Sequence, residues 1–126
     1  MKEKHFHKIT PYLYVTDIHE TIAYYKDQLG FSGEWIVYAP LKTGGISRDD
    51  IKLLFQQHPD YVKTFNTKSE SFELVLFVAN VDEIYNEYKS KNIRFIEHIV
   101  DRPWGIREFI IQDINGYWLR ISEGKN

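Results

Sequence analysis

The sequence predicts an α+β fold: two tandem βαβββ modules whose curved sheets surround a concave cavity. Three observations carry that expectation. The chain contains an internal repeat, each copy of the repeat opens a helix with the same cap, and strand parity separates an aliphatic face from a mixed one.

Displaced by 63 positions, YLYVTDIHE at residues 12–20 falls on VLFVANVDE at residues 75–83. Displaced by 66, residues 51–56 fall on residues 117–122. Neither half could bury enough surface alone, so the copies read as halves of one fold. The expected organisation is a single domain over residues 1–126. Module one spans about 8–57, a polar linker covers 58–69, and module two spans about 71–123.

Each module begins with an alternating strand that runs into a helix. Asp17 and Asn80 are N-caps, and Glu20 and Glu83 stand three residues on to complete a capping box. Ile18, Ile22, Tyr25 and Leu29 keep helical spacing until Gly30 stops the first helix. Val81, Ile84, Tyr85 and Tyr88 do the same for a shorter, more polar helix ending near Asn92. Three strands follow each helix: residues 34–39, 44–47 and 51–57, then 94–99, 108–112 and 117–122. The Gly44-Gly45 pair reads as a turn before a short strand, and Asn115-Gly116 as the turn of the last hairpin.

Alternate strand positions face opposite sides of a sheet. One parity gives Ile9, Leu13, Val15, Ile51, Leu53, Phe55, Leu74, Leu76, Val78, Leu119 and Ile121, an aliphatic face to pack on the helices. The other gives Thr10, Tyr12, Tyr14, Lys52, Leu54, Gln56, Glu73, Val75, Phe77, Trp118, Arg120 and Ser122. Rings interleaved with charges suit a concave, partly wet binding surface. The same mixture suits a dimer interface or a polar solvent face.

Composition narrows the function classes. Aromatic residues make up 16%, enough to line a pocket as well as a core. The net charge of -2 gives no basic footprint, so no nucleic-acid partner is expected. Without Cys there is no zinc-thiolate site, disulfide framework or thiol nucleophile, and a reducing, cytoplasmic setting is expected. MKEKHFHKIT has no apolar leader core, and no stretch is long enough to span a membrane. No nucleophile elbow, P-loop or dinucleotide fingerprint is present, so no catalytic residue and no cofactor is expected. His5, His7, His19, His58 and His98 form no zinc signature, and Glu97 and His98 have opposite parity. Glu73 would serve as a general base only if no nearby Arg held it ionised. Trp104 in Pro103-Trp104-Gly105 reads equally as a corner wedge or a ligand platform. Trp35 and Tyr38 have opposite parity, and Trp35 is the one assigned to the cavity.

VTDIHETIAYYKDQLGF near the start and PWGIREFIIQDINGYWLRI near the end, set in a repeated βαβββ pattern, resemble the vicinal oxygen chelate superfamily. That superfamily holds glyoxalase I, extradiol dioxygenases, fosfomycin-resistance enzymes and bleomycin-resistance proteins. Pro11, GGISRDDIKLLF and the Pro103-Trp104-Gly105 corner before Arg107-Glu108-Phe109 are similar to the bleomycin-resistance branch. The resemblance places the superfamily's metal-ligand positions on Thr10, Leu54, Glu73 and Arg120. Only one of the four is a carboxylate, so no metal is expected.

The bleomycin-resistance branch lacks the metal and sequesters its drug. What the resemblance implies is metal-independent binding of a small aromatic or heteroaromatic ligand in a crevice at a homodimer interface. Tyr12, Tyr14, Trp35, Phe77, Trp104 and Trp118 would form the ring platform, and Lys52, Glu73 and Arg120 would orient polar groups. The branch also exchanges an N-terminal strand between subunits, and Pro11 matches the place where that arm turns. The rival readings are a glyoxalase- or dioxygenase-type enzyme with an atypical metal site and a non-catalytic interaction dimer. Parity puts Glu73 and Arg120 on one face, and the resemblance implies that their strands are neighbours, so Arg120 is expected to meet Glu73 with its planar fork.

Overall fold

A computed structural model describes residues 4–66 and 73–124. In chain order these form β1 (Tyr12–Val15), α1 (Ile18–Asp27), β2 (Ser32–Val37), β3 (Thr43–Arg48), β4 (Ile51–Gln57), α2 (Pro59–Asn66), β5 (Glu73–Phe77), α3 (Val81–Lys89), β6 (Arg94–Asp101), β7 (Ile106–Gln112) and β8 (Trp118–Gly124). The fold is α+β. One sheet has the order β1-β4-β3-β2 and the other β5-β8-β7-β6, so each βαβββ module builds one four-stranded sheet.

The capping chemistry starts both helices as expected. Asp17 accepts from the Glu20 amide at 2.9 Å and Asn80 from the Glu83 amide at 3.2 Å. Gly30 ends the first helical segment at φ 79, where a side chain would be strained. The repeat survives in the hydrogen-bond ladders. β1 runs parallel to β4 with Tyr12 opposite Leu54, and β5 runs parallel to β8 with Val75 opposite Arg120.

The aliphatic parity forms the core. Leu13, Val15, Leu53, Phe55, Leu119 and Ile121 are buried with Ile18, Ile22, Tyr25 and Tyr88 in one cluster that draws on both modules. Each such apolar side chain is worth about 1.5–3 kcal/mol of burial. The modules meet through their helix-covered faces. The Tyr25 hydroxyl donates to Asp113 at 2.6 Å, the Tyr88 hydroxyl donates to the Leu29 carbonyl at 2.7 Å, and Arg48 donates to both oxygens of Glu87 at 2.8 and 2.9 Å. The opposite face of each sheet is left open.

Three expectations are corrected. Ile9 belongs to no strand and is 94% exposed, because β1 begins only at Tyr12 and nothing packs over the residues before it. The linker read at 58–69 contains α2, with Pro59 in its first turn and the His58 Nδ1 accepting from the Tyr61 amide at 3.3 Å; residues 67–69 lie outside the described residues. β2 begins at Ser32, two residues before the expected start, with a register irregularity between Ser32 and Trp35. Among the described residues, no helix is long and apolar enough to cross a membrane.

Candidate functional site

The mixed parity falls on the open sheet faces, and the two faces differ in kind. On the first sheet, Tyr12, Leu54, Gly45 and Trp35 are successive register partners across β1, β4, β3 and β2, so their side chains share one side. A Cβ on Gly45 would fall within 2.7–2.9 Å of the Trp35 indole. The indole therefore lies flat across β3, on the face expected for it, while Tyr38 stacks on His19 elsewhere. Tyr12 and Tyr14 meet edge to face at 6.2 Å, and Tyr12 donates to Gln56 at 2.9 Å. Tyr14 also packs on Tyr61 at 4.8 Å and on His58 at 5.1 Å. Lys52 stands exposed at the end of this wall, in no ion pair with a described residue.

Tyr61 and His58 were missed by the sequence reading. Both come from the start of α2, and a Pro directly after a potential cap was the available signal.

The second wall is ionic. Arg120 is half-buried on β8, and its Nε donates to Glu73 on β5. The expected fork is divided: Nη1 turns instead to Glu108 on β7. Glu108 is 3% exposed and accepts as well from Arg102 Nε at 2.7 Å and from the Ser122 hydroxyl at 2.8 Å. Arg102 continues to Glu97 on β6. A chain Glu73–Arg120–Glu108–Arg102–Glu97 thus crosses all four strands. Burial alone would raise the Glu108 carboxyl, but hydrogen bonds from Arg102, Ser122 and Arg120 outweigh it and hold the group below the usual carboxylate range. Burial works against the Arg120 cation, yet Glu73 and Glu108 leave it more firmly protonated than an ordinary Arg.

The remaining candidates surround this chain. Trp118 is half-buried beside Glu73, its register partner. Trp104 is 71% exposed on a tight turn closed by the Arg102 amide donating to the Ile106 carbonyl at 2.7 Å, with Gly105 at φ 92. Trp104 wedges nothing; the turn holds it out. Phe77 sits exposed at the far end of β5, where it also borders a cleft between the modules.

The positions that the resemblance assigns to metal ligands do not make a donor set. Leu54 has no lone pair, Arg120 is a cation, and the Glu73 carboxylate is taken by Arg120. Among the described residues, no three His, Cys, Asp or Glu side chains converge as a metal site would require.

Residues 5–121 match the family model described as the Glyoxalase/Bleomycin resistance protein/Dioxygenase superfamily. The chain belongs to this superfamily. Similar solved structures share the fold over nearly their whole length. The bleomycin-binding protein of bleomycin-producing Streptomyces verticillus, in complex with copper(II)-bleomycin, is 19% identical at a TM-score of 0.73, covering 98% of this chain and 100% of its own. A bleomycin resistance determinant encoded on the transposon Tn5 is 25% identical at 0.72, covering 96% and 100%. TioX from Micromonospora sp. ML1 is 14% identical at 0.71, covering 95% and 98%. No curated protein matches the sequence. As a superfamily member this chain departs from the metal-binding pattern at its centre, where a guanidinium stands between carboxylates.

Proposed function

We propose that this protein is a metal-independent binding protein of bleomycin-resistance type, acting in the cytoplasm and sequestering an aromatic or heteroaromatic ligand, antibiotics of the bleomycin kind among them. The working unit is a homodimer. The aromatic wall of one protomer (Tyr12, Tyr14 and Trp35, with Lys52 at its end) faces the ionic wall of its partner, with Glu73 and Arg120 flanked by Phe77, Trp104 and Trp118. The carrying observation is the Glu73–Arg120–Glu108 arrangement: it fills the centre where a metal relative needs free donors and leaves fixed polar groups beside exposed rings. Stacking between ligand and ring adds about 0.5–1.5 kcal/mol per pair beyond area burial, so several rings acting together reach micromolar affinity. The identity of 25% to a Tn5-encoded bleomycin resistance determinant supports the same class.

Titrating the protein with bleomycin and a panel of planar aromatic compounds, read by tryptophan emission, tests this. A saturable change is expected, and Trp118→Ala is expected to weaken it by about 1–3 kcal/mol with the fold intact. The reading fails if no compound changes the emission. It fails equally if elemental analysis after dialysis finds about one divalent ion per chain that Glu73→Gln releases.

A further inference from the structure

The repeat relates two junctions between the modules, and they are finished differently. At the first, the β7–β8 turn reaches across to module one. Asn115 accepts from the Thr16 amide at 2.8 Å and donates to the Thr21 hydroxyl at 3.0 Å, and the Tyr117 hydroxyl donates to the Tyr14 carbonyl at 2.5 Å. The displacement of 63 carries Thr16 and Thr21 onto Ala79 and Ile84, and that of 66 carries Tyr117 onto Ile51. These counterparts border the second junction, where no such bridge forms among the described residues. Turn length and side-chain size explain the difference. The last ladder pair of β3 and β4, Arg48 and Ile51, encloses two residues, whereas Asp113 and Tyr117 enclose three. The shorter turn brings Asp49 and Asp50 to the junction without a residue that reaches over it as Asn115 does. Ile51 and Ile121 also stand where the filled junction has the larger Tyr117 and Phe55.

What stays open is a cleft of about 560 Å³. Small-molecule sites run from about 300 to 1,000 Å³. Phe31 and Ile51 from module one and Leu76 and Ile84 from module two give it an apolar floor. The Ala79 amide, counterpart of the one that Asn115 satisfies, has no acceptor among the described residues. Asp49 and Asp50 form one rim and Glu83 of α3 the other. None of these three side chains has an ion pair or hydrogen bond with a described residue. Arg48 and Glu87 also border the cleft, but they neutralise each other as a bidentate pair. Negative charge is thus left uncompensated beside an apolar floor.

We propose that this cleft is a second binding site, for a small organic cation that supplies what the filled junction holds. An aromatic ring lies on the floor as that of Tyr117 does at the other junction. A carbonyl oxygen accepts from the Ala79 amide as Asn115 accepts from that of Thr16, and an ammonium group meets the carboxylates of the rims. Apart from Phe77 at its edge, the cleft shares no residue with either wall, so the inference stands independently of the function proposed above.

Three benzamides that differ in the charge of their tail test this by calorimetry: aminoethylbenzamide, a cation; N-propylbenzamide, which is neutral; and hippurate, an anion. The cation is expected to bind about tenfold or more tightly than the neutral compound, and hippurate not at all. The amide resonance of Ala79 is expected to shift as the cation is added. Asp50→Asn with Glu83→Gln is expected to remove the advantage of the cation while leaving N-propylbenzamide unchanged. Ile51→Tyr is expected to abolish binding of the cation, with bleomycin still changing tryptophan emission. Equal affinity for the three compounds, no binding of the cation, or an unchanged advantage in the Asp50→Asn/Glu83→Gln variant overturns the proposal. Undiminished binding by folded Ile51→Tyr overturns it too, and should that variant unfold, the charge substitutions decide. A dimer that dissociates in sedimentation as the cation is added assigns the cleft to a second copy of the chain and overturns it as well. Loss of the bleomycin response with the cation still bound counts against the proposed function alone.

Discussion

Glu108 accepts from Arg102, Arg120 and Ser122 while almost wholly out of water, whereas Glu73 shares the same guanidinium with its side chain 34% exposed. Removing a buried carboxylate strands its partners' charge and costs about 3–5 kcal/mol. A half-wet pair is worth about 1 kcal/mol or less. Glu108→Ala is therefore expected to destabilise the chain several times more than Glu73→Ala in urea unfolding; equal losses would mean that the network does not centre on Glu108. The sign with pH follows. The carboxyl is held below its ordinary value, so its contribution is full above the unfolded value and disappears as pH falls through the lowered one. The Glu73–Arg120 contact was legible because both residues stand on the mixed parity of neighbouring strands. Glu108 was not. It opens the apolar run Phe109-Ile110-Ile111, which hides strand parity, and a charged residue this deep in a sheet defies the usual distribution.

β3 carries two adjacent glycines that face opposite ways. A Cβ on Gly44 would lie 2.7 Å from the Trp35 carbonyl oxygen, a backbone atom, and would press on Ile18 of α1. On Gly45 the three nearest atoms all belong to the indole of Trp35, the end of a half-exposed side chain that can swing aside. Gly44→Ala is thus expected to cost about 1–3 kcal/mol. Gly45→Ala should leave thermal stability nearly unchanged while shifting Trp35 emission and weakening ligand binding. Matching losses of stability from both would mean that the indole is not free to move. The sequence marked this pair as a turn, since two glycines before a short strand carry no facing information without the register. α2 escaped for a different reason. Its eight residues are short for a helix, and its cap is His58 rather than Ser, Thr, Asp or Asn. With it went Tyr61, although Tyr12 and Tyr14, on a strand with clear alternation, were placed correctly on the open face.

The two modules are tied together by the turn between β7 and β8. Asp113 accepts from Tyr25 of α1 and from the amides of Asn115 and Tyr117, while Asn115 accepts from the Thr16 amide at 2.8 Å and donates to Thr21 at 3.0 Å. Burial dominates and raises the Asp113 carboxyl to about 6 against those hydrogen bonds. The folded chain therefore binds this proton more tightly than the unfolded chain does. The contribution is complete below the unfolded value of about 4 and is lost as pH rises to about 6, a change of about 3 kcal/mol. The difference in unfolding free energy between wild type and Asp113→Asn is expected to carry that slope between pH 4 and 6 and to be flat from 7 to 8. A flat difference throughout would place the ionisation elsewhere. At this scale the sequence showed the repeat and the hairpin turn. It did not show that Asn115 reaches 99 residues back to Thr16, because a contact between modules leaves no periodic trace.

The matched ladders, Tyr12 opposite Leu54 and Val75 opposite Arg120, have a consequence for descent. The halves share a common frame while their open faces differ, one carrying rings and the other charge, as expected of a duplicated unit. Because the buried parity holds most of that frame, mutation on the open parity outside the Glu108 network costs little folding stability. A lineage built this way acquires a new ligand by substitution at a few strand positions, with no insertion and no change of topology.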